Sequence, residues 1–356
     1  MTRLEIIKDK LNAAGLDGIL ITSPENHRYS CGFHNPDGQV LITKNKSYVF
    51  ADFRYTEAAK RECDEGFEVI MPEADICTLL KKYAFENEVQ KLGFEESSVS
   101  FMEYSNIQRA LVGCELCPAE HILSELRITK TPEEVKSIVK AQRIAEKSLN
   151  ELISRITYDM TEREVAAELE YLMKRNGAEG ISFETIAISG SNSSSPHGVP
   201  RDVRLEKGFL TLDFGAVING YHSDMTRTLV IGNADADMKK VYNTVLKAQT
   251  AVLEVIDEGK SNFEMDKIAR DIIHGAGFEG CFGHSLGHGV GLLIHELPNM
   301  SPRSPKDLVL KDGNVVTVEP GIYIEGKYGC RIEDMVYIKK NGTVNLTEFP
   351  KEMIEI

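Results

Sequence analysis

Asn219 and Gly220 determine how the centre of this chain can pair. They lie between two runs of apolar and β-branched residues in the segment 209–231, which reads FLTLDFGAVINGYHSDMTRTLVI. An Asn-Gly pair in this setting is typical of a two-residue type I′ turn, so the segment is predicted to form a β-hairpin. The turn also sets the register of the two strands and places Asp213 opposite Thr226.

In this register Asp213 and Asp224 are diagonal neighbours on one face of the hairpin. Side chains alternate between faces along a strand, so both carboxylates are within reach of a common ion. Carboxylates at close range repel each other unless they are protonated or neutralised, and a divalent cation neutralises them. Gly215 lies opposite Asp224 and is expected to leave the space that such an ion needs. The alternative is a hairpin with two solvated aspartates, and this segment alone does not distinguish the two.

Length and composition indicate a soluble globular protein with two domains. The 356 residues exceed what one typical core needs. The net charge of −14 argues against a nucleic-acid binder and against a membrane-surface protein, because both need basic patches. No run of about 18 apolar residues is present that could span a bilayer.

The start of the chain and its cysteines predict a cytoplasmic protein. The residues MTRLEIIKDKL carry charges throughout, which is typical of a folded helix and not of a signal peptide. Seven cysteines form an odd, scattered set, as expected in a reducing compartment. Cys114 and Cys117 have the C-x-x-C spacing of zinc and redox sites, but no second pair lies at finger spacing, which disfavours either role.

The pattern of secondary structure changes near residues 127–131. Before this point helical and strand signals alternate, which predicts an α/β domain over residues 1–128. Thr131 and Glu134 then form a capping box at the start of a long helix. In residues 129–356, amphipathic helices accompany strands joined by hairpins, so we predict an α+β domain with a curved antiparallel sheet backed by helices.

The segment 283–296, GHSLGHGVGLLIHE, combines histidines with several glycines. So many glycines make it too flexible for an ordinary helix or a central strand. Imidazoles on a backbone that allows close approach suit a metal or substrate site. A lone histidine is more often structural, but the grouping of His284, His288 and His295 favours a functional site.

Two further carboxylates follow strand-like segments. Glu319 ends the apolar run NVVTVE, where a carboxylate is costly unless it is paired or metal-bound. In GCRIEDMVYI, predicted as one continuous strand, Arg331 and Glu333 share a face while Asp334 points the other way. Taken singly, Glu333 could be an exposed strand carboxylate and Arg331 a salt-bridge partner.

Together these side chains form a ligand set for hard or borderline divalent ions. Four carboxylates and one histidine suit Mn²⁺ best, and Co²⁺, Fe²⁺ and Zn²⁺ are also compatible. Three or more carboxylates exceed what a single zinc ion usually takes. Two ions about 3.5 to 4 Å apart would use them, with shared carboxylates and a bridging water.

Five motifs follow one another along the chain: LDFGA, HSDMTRT, GHSLGHGVGLLIHE, TVEPGIY and GCRIED. In this order they resemble the pita-bread metallopeptidases, the superfamily of methionine aminopeptidase, aminopeptidase P and prolidase. The N-terminal part and the RITKTPEEV linker resemble the creatinase-type domain and linker of Xaa-Pro peptidases. The resemblance covers nearly the whole chain and implies a pita-bread catalytic domain in residues 129–356.

The resemblance also assigns metal ligands. The family's five ligands correspond to Asp213, Asp224, His288, Glu319 and Glu333. His288 is chosen over His284 because the family's ligand lies seven residues before the histidine of the HE pair, here His295-Glu296. Asp224 and Glu333 are expected to bridge two metal ions.

Catalytic and substrate-side roles follow in the same way. Glu319 is expected to handle the proton of the nucleophile, His295 to contact the scissile carbonyl, and His197 to flank the substrate pocket. The remaining substrate-side positions are His284, Arg331 and Tyr323. His222 falls on the metal face of the hairpin but matches no fixed position in the family, so it is left as a structural residue.

The resemblance implies a two-metal exopeptidase that hydrolyses the Xaa-Pro bond of dipeptides or peptide N-termini through a metal-bridging hydroxide. A homodimer is expected on the same basis. The alternatives are a broad-specificity aminopeptidase of the same fold and a non-catalytic binding module. Five intact ligands disfavour the module and the creatinase branch, and the N-terminal domain disfavours a methionine aminopeptidase.

Overall fold

The structure is a computed structural model that describes residues 1–34 and 36–356. The chain divides into two compact units, Met1–Arg127 and Ile128–Ile356. We propose domain limits of 1–128 and 129–356, which differ from this division by one residue. No helix of the described residues is long and apolar enough to cross a membrane.

The first unit is built on a mixed six-stranded sheet with the order β4-β3-β2-β1-β5-β6. Its strands are β1 (Gly18–Ile21), β2 (Gln39–Thr43), β3 (Ser47–Phe50), β4 (Phe67–Ile70), β5 (Lys91–Phe94) and β6 (Glu115–Pro118). Its helices are α1 (Arg3–Ala13), α2 (Pro24–Cys31), α3 (Thr56–Glu62), α4 (Ile76–Glu86), α5 (Phe101–Ala110) and α6 (Glu120–Ile128), the last of which ends at the boundary. The predicted α/β class of this part is confirmed.

Helix α2 was not predicted, because PENHRYSC lacks apolar residues at helical spacing. The two ends of this helix do have residues that are typical of a helix start and a helix stop. Pro24 occupies the first turn, and Gly32 follows the last turn with a φ of 76°.

Elsewhere in this unit, Cys114 and Cys117 are free thiols. Burial raises the pKa of both, so neither is an activated thiolate.

The second unit contains antiparallel sheets and four long helices in its described residues. The helices are α7 (Pro132–Ile153), α8 (Glu162–Arg175), α9 (Ala236–Leu253) and α10 (Asn262–Gly275). The strands are β7 (Gly180–Ile181), β8 (Ile186–Ser189), β9 (Gly208–Phe214), β10 (Ala216–Ile218), β11 (Tyr221–His222), β12 (Met225–Ile231), β13 (Gly287–Gly289), β14 (Glu296–Met300), β15 (Val315–Val318), β16 (Gly321–Ile324), β17 (Tyr328–Arg331), β18 (Asp334–Tyr337) and β19 (Val344–Asn345). The α+β class is confirmed, although the strands form several small sheets with the orders β11-β10-β7, β12-β9-β8, β14-β13-β15-β18-β19 and β16-β17.

Two pairs of helices cover the sheet that contains β9 and β12. Leu210 and Leu212 of β9 are buried in a core with α7 and α8. Phe209, which points to the other face, is buried in a core with α9 and α10. Both faces of the strand pair are therefore covered, which fixes the ends of β9 and β12 relative to the rest of the unit. The capping box predicted at the start of α7 is present, with Thr131 accepting from the backbone of Glu134 at 3.3 Å.

The central hairpin has the predicted turn and register. Asn219 and Gly220 have φ values of 51° and 74°, as a type I′ turn requires. Asp213 pairs with Thr226. The hairpin is divided, however, between two sheets, because β9 and β10 are interrupted at Gly215.

The role predicted for Gly215 is wrong. A Cβ atom at this position would lie 1.8 Å from the carbonyl oxygen of Ser223 and 2.8 Å from the Oγ of Ser182. The glycine therefore permits a close approach of two backbone segments and leaves no space for an ion.

Candidate active site

A cavity of about 910 Å³ lies within the second unit and collects almost every predicted site residue. The predicted residues that line it are His197, Asp213, Asp224, His284, His288, His295, Glu319, Arg331 and Glu333. Tyr323 is not among its lining residues, and neither is His222. The segments that carry these residues lie far apart in the sequence, so the fold is what brings them together.

The centre of the cluster is formed by Asp224, His288 and Glu333. Each offers one ligand atom, and these atoms all lie within 4.8 Å of one another. The Nε2 atom of His288 is 3.5 Å from Oδ2 of Asp224 and 3.4 Å from Oε1 of Glu319. Four of the five predicted ligands therefore surround one small volume.

Hydrogen bonds orient His288 toward the carboxylates. Its Nδ1 atom lies 3.1 Å from the carbonyl oxygen of Gly289, which accepts a hydrogen bond when Nδ1 carries the proton. This tautomer leaves the Nε2 lone pair facing Asp224 and Glu319. Burial, with a smaller contribution from His295, lowers the pKa of His288 to about 4, so the imidazole is neutral and able to bind a metal ion near pH 7.

In the glycine-rich segment 283–296, only Gly287–Gly289 form a strand before β14 begins at Glu296, so the prediction that this segment is not a central strand is wrong for these three residues alone. Strand β13 lies between β14 and β15 in the five-stranded sheet. A Cβ atom on Gly287 would lie 2.0 Å from the carbonyl oxygen of Thr317, and one on Gly289 would lie 2.3 Å from that of Leu297. The glycines are needed because neighbouring backbones approach closely on both sides, and the pairing of β13 with β14 shifts its register between Gly287 and Gly289.

The strand predicted to run through Arg331 and Glu333 is broken, which corrects a second prediction. Strand β17 ends at Arg331 and β18 begins at Asp334. Glu333, which lies in the break, nevertheless lines the cavity together with Arg331. Asp334 is buried and pairs with Arg227 at 2.8 Å.

Thr226 links the two cavity-lining residues of this break. Its Oγ1 donates to Oε2 of Glu333 at 2.7 Å and accepts from Nε of Arg331 at 3.0 Å. Sequence reasoning did not assign Thr226 to the site. The hairpin register, which pairs Thr226 with Asp213, was the signal that could have identified it.

Arg331 is buried and makes contacts in several directions. Its Nη2 donates to Oδ2 of Asp213 at 2.6 Å, and its Nη1 donates to the hydroxyl of Tyr323 at 2.6 Å. That hydroxyl is also 2.9 Å from Nε2 of His284. Arg331 is therefore both a salt-bridge partner and a cavity residue, and Tyr323 lies behind it as a hydrogen-bond partner.

The carboxylates of the cluster are buried and repel one another. Burial, and then the neighbouring carboxylates, raise the pKa of Asp224 and that of Glu333 well above their ordinary values. Burial raises the pKa of Glu319 to about 8. The arrangement concentrates negative charge on side chains that are largely buried.

The donor set fits divalent cations. Oδ1 of Asp213 is buried and has no hydrogen-bond partner among residues 1–34 and 36–356. Buried polar atoms are normally satisfied, so this atom and the crowded carboxylates both call for a positive charge. Oxygen ligands with a single imidazole suit hard or borderline ions.

The remaining histidines lie around this centre. The ring of His295 is exposed in the cavity, and its centroid is 4.3 Å from that of His288. His197 is also exposed and belongs to the segment that follows β8. His222 lies outside the cavity lining, and its buried Nδ1 has no partner in the described part of the chain.

Sequence reasoning also missed part of the cavity wall. Helix α8 and the segment before β8 contribute Arg163, Glu170 and Glu184. These residues carry no motif, and on a helix or an exposed loop they are indistinguishable in sequence from solvated charges.

Known proteins resemble this chain over its full length. Residues 136–340 match metallopeptidase family M24, and residues 3–129 match the creatinase/prolidase N-terminal domain. The Xaa-Pro dipeptidase of Pyrococcus furiosus is 38% identical over 355 residues, with 99% of each chain covered. The structure of an Xaa-Pro dipeptidase from Bacillus anthracis has a TM-score of 0.95, with 39% identity and 99% of each chain covered. An X-Pro aminopeptidase from Thermotoga maritima has a TM-score of 0.91, with 36% identity and coverage of 98% of this chain and 100% of that chain.

Proposed function

Because this chain belongs to metallopeptidase family M24, we propose that it hydrolyses the Xaa-Pro bond of dipeptides or of peptide N-termini. As a member of that family it is a hydrolase. The single observation that carries the proposal is the convergence of Asp224, His288 and Glu333, with Glu319 beside them, in one cavity. Relatives named as Xaa-Pro dipeptidase and X-Pro aminopeptidase, which match over the whole length, support the choice of substrate.

Two divalent cations, most suitably Mn²⁺, are assigned to the cluster. The residues that would hold them are Asp213, Asp224, His288, Glu319 and Glu333. When bound, such cations lower the pKa of a shared water molecule toward neutrality and polarise the carbonyl group of the substrate.

The protein's own side chains would handle the proton and the developing charge. Glu319 is held at the end of β15 by a 2.8 Å hydrogen bond from its backbone N–H to the carbonyl of Leu286. Its carboxylate accepts a proton from the attacking water and passes it to the proline nitrogen as the peptide bond breaks. His295, exposed in the cavity, donates a hydrogen bond to the carbonyl oxygen as that oxygen gains charge.

The substrate side of the cavity is assigned to four residues. His197 and His284 would contact the peptide directly, since both line the cavity. Arg331 also lines it, and through Asp213 it orients one carboxylate of the cluster. Tyr323 would act indirectly, by holding His284 and Arg331 with its hydroxyl.

The test is hydrolysis by protein that has been stripped with a chelator and reconstituted with Mn²⁺. Substrates are Xaa-Pro dipeptides, Xaa-Pro-Xaa tripeptides and matched peptides with alanine in place of proline. We expect turnover of proline substrates only, no turnover before metal is added, and at least about 100-fold lower turnover by the Glu319→Gln variant, which controls for contaminating peptidases. Absence of turnover with any divalent metal would overturn the proposal.

The same panel separates the remaining alternatives. Cleavage of dipeptides alone identifies a dipeptidase, and cleavage of tripeptides as well identifies an aminopeptidase. Equal cleavage of the alanine peptides would favour a broad-specificity aminopeptidase. A homodimer and a cytoplasmic location are part of the proposal, and the dimer is tested by light scattering of the purified protein.

A further inference from the structure

A buried carboxylate outside the metal cluster binds one segment of the cavity wall. Glu162, at the start of α8, is completely buried. Its Oε1 accepts from the backbone N–H of Ser189 at 2.7 Å, the hydroxyl of Ser189 at 2.9 Å and Nη2 of Arg201 at 2.9 Å. Its Oε2 accepts from the side chain of Asn192 at 3.0 Å and from the backbone N–H and Nε of Arg201 at 2.9 and 3.0 Å.

These partners lie at the two ends of one loop. We define the His197 loop as residues 190–201, which begins directly after β8 and contains the 3₁₀ helix Gly190–Ser194. Ser189 precedes the loop, and Arg201 is its last residue. Glu162 therefore ties both ends of the His197 loop to one point on α8.

The backbone adds a second attachment at the same point. The first-turn amides of α8 have no partner within the helix. That of Glu162 donates to the carbonyl of Val203 at 3.1 Å, and that of Arg163 donates to the carbonyl of Arg201 at 3.2 Å. The start of α8 thus binds the chain just after the loop through backbone and side chain together.

The middle of the loop is held against the active site. The hydroxyl of Ser193 accepts from the backbone N–H of Gly329 at 2.9 Å. The carbonyl of Pro196 accepts from Nη1 of Arg331 at 3.3 Å. Only Ser194 lies between Ser193 and the Ser195-Pro196 pair that precedes His197. Small shifts at the loop ends therefore reach the histidine directly.

The ring of His197 has no such support of its own. It is exposed, and no described residue forms a hydrogen bond with it. It lies near His284 and His295, whose pKa values its charge would lower further, beyond the effect of burial. Its position over the cavity is therefore set by the backbone of the loop.

The Glu162 contacts are strong ones. Hydrogen bonds to a charged group are about twice as strong as neutral ones, and the Arg201 contact is a bidentate pair. Burial alone would raise the pKa of Glu162, but the bonds from Arg201 and Ser189 outweigh it and the pKa lies below the ordinary value. The carboxylate is thus ionised at neutral pH and able to accept all six bonds.

We propose that Glu162 is a positioning residue that holds His197 in the active-site cavity by fixing both ends of the His197 loop. The inference rests on the proposed function for its kinetic consequence. A purely structural role for Glu162 would instead affect the stability of α8 and leave His197 unaffected.

The test is a double-mutant cycle between Glu162→Gln and His197→Ala. Gln keeps the shape of Glu but turns an NH₂ group toward three of the donors, so half of the side-chain bonds that hold the loop ends are lost. We expect Glu162→Gln to lower kcat/KM for Xaa-Pro substrates about 10- to 100-fold, as small misplacements of an active-site group do. In the His197→Ala background the same substitution is expected to change kcat/KM by less than about twofold.

A matched control is available in Glu146→Gln. Glu146 is also a buried carboxylate, and it accepts from the backbone N–H of Glu348 at 2.6 Å and of Phe349 at 3.3 Å. It does not line the cavity. Its variant is expected to lose stability while keeping the kcat/KM of the wild type.

Hydrogen exchange provides a readout that does not depend on activity. In Glu162→Gln, amides of residues 190–201 are expected to exchange at least about tenfold faster, while those of α9 and α10 keep their wild-type rates. Unchanged exchange in the loop, or an equal loss of kcat/KM in both backgrounds, would overturn the inference. An inactive wild type would overturn the proposed function alone, and the exchange rates would still decide whether Glu162 fixes the loop. If Glu162→Gln does not fold, Asn192→Ala, which removes one of the six bonds, is measured in its place.

Discussion

Replacing Asp224 by Asn is expected to stabilise the metal-free protein. Asp224 is only 4% exposed, and its ligand atom lies within 4.8 Å of that of Glu333. Two unit charges at this distance repel by about 3 kcal/mol at an effective dielectric constant of about 20. Protonation of Asp224 would relieve this repulsion. From the ordinary pKa of 3.8, protonation costs about 4 kcal/mol at pH 7, which is therefore the upper limit of the destabilisation that Asp224 can cause. Asn removes this penalty and keeps the shape.

The pH dependence gives the sign of the effect. Because the pKa of Asp224 is raised in the folded protein, its contribution to stability is fully present below the unfolded value of 3.8 and is lost as pH rises. The advantage of the variant should therefore be absent near pH 4 and grow by about 1.4 kcal/mol per pH unit above it, up to the limit. At pH 7 the second unit should melt about 6 to 12 °C higher in calorimetry of chelator-treated protein.

Saturating Mn²⁺ is expected to make the wild type melt at a higher temperature than the Asp224→Asn variant. The wild type gains about 2.7 kcal/mol per site at a hundredfold excess over Kd, and the variant loses most of this gain together with its activity. Asp213→Asn is the matched control with the opposite sign, because it leaves the buried guanidinium of Arg331 without its 2.6 Å partner. The reasoning is refuted if metal-free Asp224→Asn melts at or below the wild type at pH 7, or if its advantage does not shrink on acidification.

Three further substitutions test the remaining roles. Glu319→Gln should lower kcat about 10²- to 10⁴-fold without loss of fold, measured by steady-state kinetics and circular dichroism, and a smaller decrease would exclude it as the proton carrier. Arg227→Met should lower the free energy of unfolding by about 3 kcal/mol in denaturant titrations, since Asp334 loses a buried partner; an unchanged midpoint would contradict this. Gly287→Ala should prevent folding of the second unit, because its Cβ would lie 2.0 Å from a carbonyl oxygen, whereas Gly283→Ala, with no atom within 4 Å, should behave as wild type in expression and melting. Equal solubility of the two alanine variants would show that the close approach is tolerated.

The parts of the fold that were predicted correctly depend on neighbouring residues. The Asn219-Gly220 turn sets the pairing of Asp213 with Thr226, and both are as predicted. The capping box at Thr131 and Glu134 likewise marks the start of α7. The family inferred from five ordered motifs is confirmed by matches over the whole chain.

The parts that were predicted wrongly depend on contacts between distant segments. Nothing near Gly287 in the sequence indicates that the carbonyl oxygen of Thr317 will lie so close to it. At Gly215 the hairpin register predicts the facing residue but not how closely the carbonyl oxygen of Ser223 approaches. The break between β17 and β18 also depends on a distant segment. Thr226 of the hairpin binds Arg331 and Glu333, which lie more than a hundred residues further along the sequence. Glu162 was missed for the same reason, since its partners belong to another segment.

The predicted ligands come from separate strands and strand ends, and this dispersal affects how the protein unfolds. Asp213 is the next-to-last residue of β9, Asp224 precedes β12, His288 lies within β13, and the two glutamates follow β15 and β17. No pair of these elements is sufficient to form the site, so opening of any one element separates the ligands. The rate at which a bound ion passes to an excess of chelator would therefore report how often the second unit opens locally, which makes the ion a probe of its cooperativity.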